Sequence, residues 1–270
     1  MANVNLPVAS LPMYDWPEVQ GATDRLWRAI RDQLRADGIE APDRLTRPAD
    51  PATTWRDPDL LLGQTCGLPL VTTLPTLTVV GAFDHRLSGT SPGSYHSVII
   101  VHRTDPAARI GELAGASVAI NGADSQSGHA VWRHLLRESD GVDSLGRVLH
   151  SGTHRASIQA VAGGGARTAA VDAVSWELAR RHEPAADRCR VLHRTAPTAG
   201  LPIVTARPSA RGPLRAALDT VVRHLPEVDR AALRVHGFVP LDRSAYDEIE
   251  RRWTAAGTAD VPRLLIDRGV

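Results

Sequence analysis

Along the chain, short apolar runs alternate with segments whose apolar residues recur every three to four positions, the pattern of strands interleaved with amphipathic helices. Residues 4–10 read as an opening strand. A polar turn, Met13-Tyr14-Asp15-Trp16-Pro17, leads into a helix over residues 21–36, with Leu26, Ile30 and Leu34 along one stripe and Gly38 as its stop. Residues 59–63 form the next strand, followed by Gln64-Thr65-Cys66-Gly67 and two extended pieces, 71–73 and 77–82. Residues 95–102, Tyr-His-Ser-Val-Ile-Ile-Val-His, make the most apolar strand of the chain and are expected to be buried on both faces. Strands at 117–121, 147–150 and 168–171 then alternate with helices at 126–137, 154–162 and 173–181. A strand at 189–192 and a proline-rich crossing at 196–205 lead to helices at 214–222, 229–235 and 244–254.

This alternation predicts an α/β fold with a largely parallel sheet. Two α/β units joined by two crossings, near 97–102 and 197–205, predict two lobes with a hinge and a cleft. Residues 1–98 with 201–270 would form the first lobe, and 99–200 the second, inserted one. Ligands of such sheets bind beyond the carboxyl ends of strands. That rule singles out Tyr14 and Asp15, Gln64 and Thr65, and the stretches 125–128, 152–157 and 172–176.

The most informative of these segments runs from the apolar Val118-Ala119-Ile120 through Asn121-Gly122-Ala123-Asp124 into Ser125-Gln126-Ser127-Gly128-His129. A helix start exposes unpaired backbone N–H groups and the positive end of the dipole, and both favour an anion. Asp124 or Ser125 could simply cap the helix. Asp124, Ser125, Gln126 and Ser127 supply more polar side chains than a cap needs, and Gly128 would leave room for a ligand. His154 stands at another helix start, which would lower its pKa and keep a neutral ring able to donate one hydrogen bond. Asp172 ends a run of small apolar residues, either touching ligand or capping the helix that carries Trp176. Trp16, Trp55 and Trp176 could wall a pocket or fill the core.

Composition narrows the classes. A chain of 270 residues with 43% hydrophobic and 23% charged residues is an ordinary globular protein, of one large domain or two modest ones. A net charge of +1, with Arg mixed among Asp and Glu, argues against nucleic acid. All 31 basic residues are Arg, so a P-loop or a lysine Schiff base cannot be encoded. Cys66 and Cys189 are too few for a disulfide framework, and Cys66 has no neighbouring base to make it a nucleophile. The histidines lack metal-ligand spacing, so neither a metal nor another cofactor is expected. No apolar stretch is long enough to span a bilayer. The first eight residues lack the basic and apolar regions of a signal peptide, so the chain as written is expected to be cytoplasmic, or extracytoplasmic if a leader has been removed.

Together, Tyr14 after the first strand, Gln64-Thr65-Cys66-Gly67, Tyr95-x-Ser97, Asp124-Ser125-x-Ser127-Gly128, Gly152-x-His154-x-x-Ser157 and Val171-Asp172-Ala173 resemble the phosphate/phosphite/phosphonate-type solute-binding proteins of bacterial ABC importers. The resemblance covers most of the chain and implies the type II periplasmic-binding-protein fold, two lobes closing over a small ligand. It implies that Ser125, Gln126 and Ser127, with Gly128, grip an oxyanion, that His154 donates to it, and that Tyr14 and Asp172 flank the ligand; Gln64, Thr65 and Tyr95 complete the candidate set. Gln126 interrupts the serine run, and its amide suits a carboxylate or neutral group as well as a phosphonate. The expected partners are a small anionic molecule and an ABC permease or a cytoplasmic protein. Two other readings of the scaffold stay open: a lyase or dehydratase with His154 and Asp172 as acid and base, and a ligand sensor.

Overall fold

The computed structural model describes residues 6–138 and 145–255. The first residues of the expected opening strand and the tail beyond residue 255 lie outside the described residues. The chain divides into two compact units, one holding the residues up to Tyr95 and Thr198–Asp247, the other His96–Pro197 and the residues from Glu248 on.

The first unit begins with β1 (Val8–Ser10), α1 (Gln20–Ala36), α2 (Ala52–Trp55), β2 (Leu60–Gln64), α3 (Gly67–Thr72), β3 (Thr78–Asp84) and the short β4 (Ser94–Tyr95). Ala22, Leu26, Ile30 and Leu34 form the buried stripe of α1, and β2 is buried along its whole length. Residues 71–73, expected as extended, instead finish or follow α3. The run Leu68-Pro69-Leu70-Val71 is too short to display a helical period, and Pro69 is tolerated in a first turn, where its missing N–H is not needed.

The second unit runs through β5 (Ser97–His102), β6 (Val118–Ile120), a π turn (Gln126–Ala130) continuing as α4 (Val131–Glu138), β7 (Val148–His150), α5 (His154–Ala162), β8 (Thr168–Asp172), α6 (Ala173–His182) and β9 (Cys189–Arg194). Ile99, Val101, Ile120, Trp132 and Leu135 share its core. Each such side chain contributes roughly 1.5–3 kcal/mol when fully buried. The chain then returns to the first unit through β10 (Thr198–Ala199), β11 (Pro202–Thr205), α7 (Arg211–Arg223), α8 (Glu227–Leu233) and β12 (Gly237–Val239), and α9 (Asp247–Ala255) joins the second.

Each unit holds one five-stranded sheet, ordered β1-β2-β11-β3-β12 in the first and β7-β6-β8-β5-β9 in the second. The expectation of a largely parallel sheet is corrected by the pairing. In the first sheet only β1–β2 is a parallel pair, because β11 inserts antiparallel between β2 and β3 and β12 lies antiparallel on the edge. In the second, β6 pairs parallel with β7 and β8, while β5 runs antiparallel between β8 and β9. Hydropathy marks strands but carries no sign of direction, so a returning strand in the middle of a sheet is invisible to it. Where β12 crosses β3, a side chain at Gly81 would place its Cβ 2.3 Å from the Val239 carbonyl oxygen, so glycine is required there by close approach.

Candidate functional site

In the second sheet, β6, β7 and β8 end on the same side, and the antiparallel β5 begins there, with Ser97 opposite Asp172. The polar residues gather at this end. Beyond β6, Ser125 takes an extended conformation and caps the following helix, its Oγ accepting the Gly128 N–H at 3.0 Å. The Ala130 N–H reaches back to the Ser125 carbonyl at 2.9 Å, an i to i+5 bond that opens the first turn into a π turn, a feature frequent at functional sites. Ser125, Gln126, Ser127 and Gly128 are all buried, whereas Asp124 is exposed.

Ser127 ties three elements together. Its Oγ lies 2.9 Å from His154 Nε2 at the start of α5, and its carbonyl accepts the Ser97 hydroxyl of β5 at 3.0 Å. Thr153 caps α5 by accepting the Ala156 N–H at 3.0 Å, which holds His154 at the first helical position. Burial pushes the His154 pKa down to about 4, so the ring is neutral at neutral pH. The direction is the one expected, but the cause is loss of solvent rather than the helix start. The buried His154 Nδ1 has no hydrogen-bond partner among the described residues. A lone pair left dry costs less than an orphaned N–H, because unpaired buried donors are the rarer case. The tautomer with Nε2–H donating to Ser127 Oγ is therefore favoured, and it leaves the Ser127 proton for another acceptor.

Asp172, 2% exposed, caps α6 by accepting the N–H groups of Val174 at 2.7 Å and Ser175 at 3.1 Å. Gly128 has a packing role: a Cβ there would lie 1.8 Å from Asn121 Oδ1, so the space expected for a ligand is filled by the Asn121 amide. Trp176 and Trp55 are buried, the latter donating its indole N–H to the Gln64 carbonyl at 3.0 Å, while Trp16 is partly exposed.

In the first unit, Tyr14 and Gln64 line one hollow together with His85, which follows β3. The Tyr14 and His85 rings meet edge to face, with centroids 5.2 Å apart. Thr65 is fully buried and donates its hydroxyl to the Cys66 carbonyl at 2.8 Å, and Tyr95 is buried in the β4–β10 pair; neither lines the hollow. Sequence reasoning missed His85, although the rule that singled out residues after strand ends applies to it. It also missed Asn121, whose packing against Gly128 has no sequence mark. Cys66 and Cys189 are thiols, the latter raised to about 11 by burial. Among the described residues no group of three or more His, Cys, Asp or Glu side chains could hold a metal ion, and no helix is long and apolar enough to cross a membrane.

The chain thus builds two α/β units, each with a five-stranded sheet, passing between them at 95–96, 197–198 and 247–248, with helix starts gathered at one end of the second sheet. Solved structures share this fold. PhnD1 of Prochlorococcus marinus, in complex with methylphosphonate, superposes with a TM-score of 0.73 at 16% identity, over 93% of this chain and 98% of that one. The binding protein component of a phosphonate ABC transporter from Pseudomonas aeruginosa gives 0.71 at 15% identity, over 95% and 88% of the two chains. The periplasmic aliphatic sulphonate binding protein SsuA of Escherichia coli gives 0.57 at 17% identity, over 95% and 75%. No curated protein matches the chain by sequence. The family model of the phosphonate ABC transporter periplasmic substrate-binding proteins matches residues 74–246, and the chain belongs to that family.

Proposed function

We propose that this protein binds a small oxyanion of the phosphonate class as the substrate-binding component of an ABC importer, acting outside the cytoplasmic membrane beside a permease. In this reading Ser125, Gln126, Ser127 and Gly128 form the turn that grips the anion, and His154 holds Ser127 as the donor. The observation that carries it is the 2.9 Å contact between Ser127 Oγ and His154 Nε2 at a buried helix start. A neutral imidazole donating to Ser127 directs the serine proton outward, where a phosphonate oxygen accepts it, and the positive dipole end of the helix start adds to the attraction. Family membership and the likeness to phosphonate- and sulphonate-binding proteins support the same ligand chemistry.

Calorimetric titration with methylphosphonate, phosphite, phosphate, methanesulfonate and acetate tests the reading. At least one tetrahedral oxyanion should bind, raising the melting temperature as any ligand of the folded state does. Ser127→Ala should weaken that ligand by about tenfold to a hundredfold, the worth of one hydrogen bond to a charged group. Absence of binding by every oxyanion, or unchanged affinity in Ser127→Ala, would remove this function from the turn.

A further inference from the structure

The turn at Ser125–Gly128 is closed by a histidine outside the set that would grip the anion. His129 Nδ1 lies 2.6 Å from the Ala123 carbonyl oxygen, so Nδ1 carries the proton and donates it. Burial holds the His129 pKa below the usual histidine range, so the ring is neutral at neutral pH and this tautomer is the one present. The bond closes a loop from Ala123 to His129 that contains Ser125, Gln126, Ser127 and Gly128. Just beyond it, the Ala130 N–H reaches the Ser125 carbonyl at 2.9 Å and the Val131 N–H reaches the Gln126 carbonyl, the two i to i+5 bonds of the π turn. Such turns are rare, and something must hold this one against reversion to the α-helix that follows it.

The His129 ring is itself held by α9. It meets the Trp253 ring edge to face, with centroids 6.2 Å apart and planes at 73°. The Arg133 guanidinium lies over the same indole, 4.1 Å from the ring centroid, a cation–π contact. His129 and Arg133 are four residues apart, so they share one face and grip Trp253 together. Trp253 is braced on its own helix: Arg252 bonds Glu248 at 2.6 Å and donates to the Ala196 carbonyl at 3.4 Å. Water competes for an imidazole N–H at a surface, and an aromatic ring packed against the imidazole excludes part of that water and strengthens the bond. We propose that Trp253 is a positioning residue for the anion turn: through the His129 ring it keeps Nδ1–H on the Ala123 carbonyl, and so holds Ser125 to Gly128 in the π turn. This role rests on the anion reading of that turn, and all its members belong to the second unit.

The test is Trp253→Leu in the full chain, read by histidine nitrogen NMR, by amide hydrogen exchange and by titration with methylphosphonate. His129 should lose its pure Nδ1–H form and show the mixed tautomers of a solvated imidazole. Exchange at Ala130 and Val131 should quicken by about tenfold while Ile100 and Val101 of β5 stay as they were, the mark of local rather than global opening. Methylphosphonate should bind about threefold to tenfold more weakly, and Trp253→Phe, which keeps a ring against His129, should recover most of each change. Arg133→Met keeps the hydrocarbon stem over the indole and removes the cation, and should give the same changes at smaller size. An unchanged His129 tautomer, or exchange that rises equally in β5, would overturn the role by making Trp253 a contributor to overall stability alone. A loosened turn with undiminished methylphosphonate affinity would overturn it as well. Absence of methylphosphonate binding in the wild-type chain, with the tautomer and exchange changes present, would overturn the anion reading and this role with it.

Discussion

His85 in the first unit and His154 in the second make an instructive pair. Burial pulls both down to about 4, so both rings are neutral near neutral pH. They differ in what holds the other nitrogen. The Arg234 carbonyl fixes the His85 proton on Nδ1, and with it the acceptor character of Nε2. His154 has only the Ser127 hydroxyl, which can either donate or accept, while its Nδ1 faces no partner among the described residues. Equal pKa values thus conceal unequal chemistry: His85 keeps its proton on Nδ1 and offers Nε2 as an acceptor, whereas His154, with Nδ1 left dry, keeps its proton on Nε2 and donates to Ser127.

The largest test of the pair is acid stability. The unfolded histidines titrate near 6.5 while the folded ones stay neutral to about 4. Between those values the unfolded state binds protons that the folded state refuses, so stability is full above about pH 6.5 and is lost as pH falls toward 4. Each histidine contributes about 3 kcal/mol over that window. His96, His129, His193 and His236, also lowered by burial, add in the same direction. Urea denaturation at stepped pH should show the slope, and His85→Phe or His154→Phe should each remove up to about 1.4 kcal/mol per pH unit from it. An unchanged slope in either variant would break the equivalence.

A smaller effect probes the packing that sets His154 and Ser127 apart from His85. Gly128→Ala should cost roughly 1–3 kcal/mol by driving its methyl into the Asn121 amide. Adding Asn121→Ala should return most of that loss in a double-mutant cycle, whereas simple additivity would show that Gly128 serves something other than Asn121. Smallest is Ser97→Ala, which removes the hydroxyl held by the Ser127 carbonyl and should cost about 1 kcal/mol by thermal denaturation. It should leave the His85 resonances untouched, since Ser97 and His85 belong to different units. A shift there would mean the two histidines do not report independently.

Much of the fold was legible because periodicity survives in long elements. The stripe Leu26, Ile30 and Leu34 gave α1 within a residue of its observed start, and the helix at 154–162 has the bounds that Thr153 and Gly163 impose. Short apolar runs gave less: Leu68 to Val71 fit strand and helix alike, and packing chose the helix. At the second unit's sheet end, the excess of polar residues marked Ser125 to Gly128, and the structure places His154 against Ser127. Ser125 and Asp172 serve as helix caps.

By itself the sequence determined the alternation of strands and helices, the exclusion of lysine chemistry and the polar helix start after β6, because each is a local property of residue type and spacing. Only the tertiary structure decided the direction of β5, β11 and β12, the passage of α9 into the second unit, the meeting of Ser127 with His154 and the fixing of His85 by Arg234. These join residues 27 and 149 positions apart, or turn on which neighbour a strand finds. Burial and long-range pairing are collective outcomes of packing, and no single residue carries them.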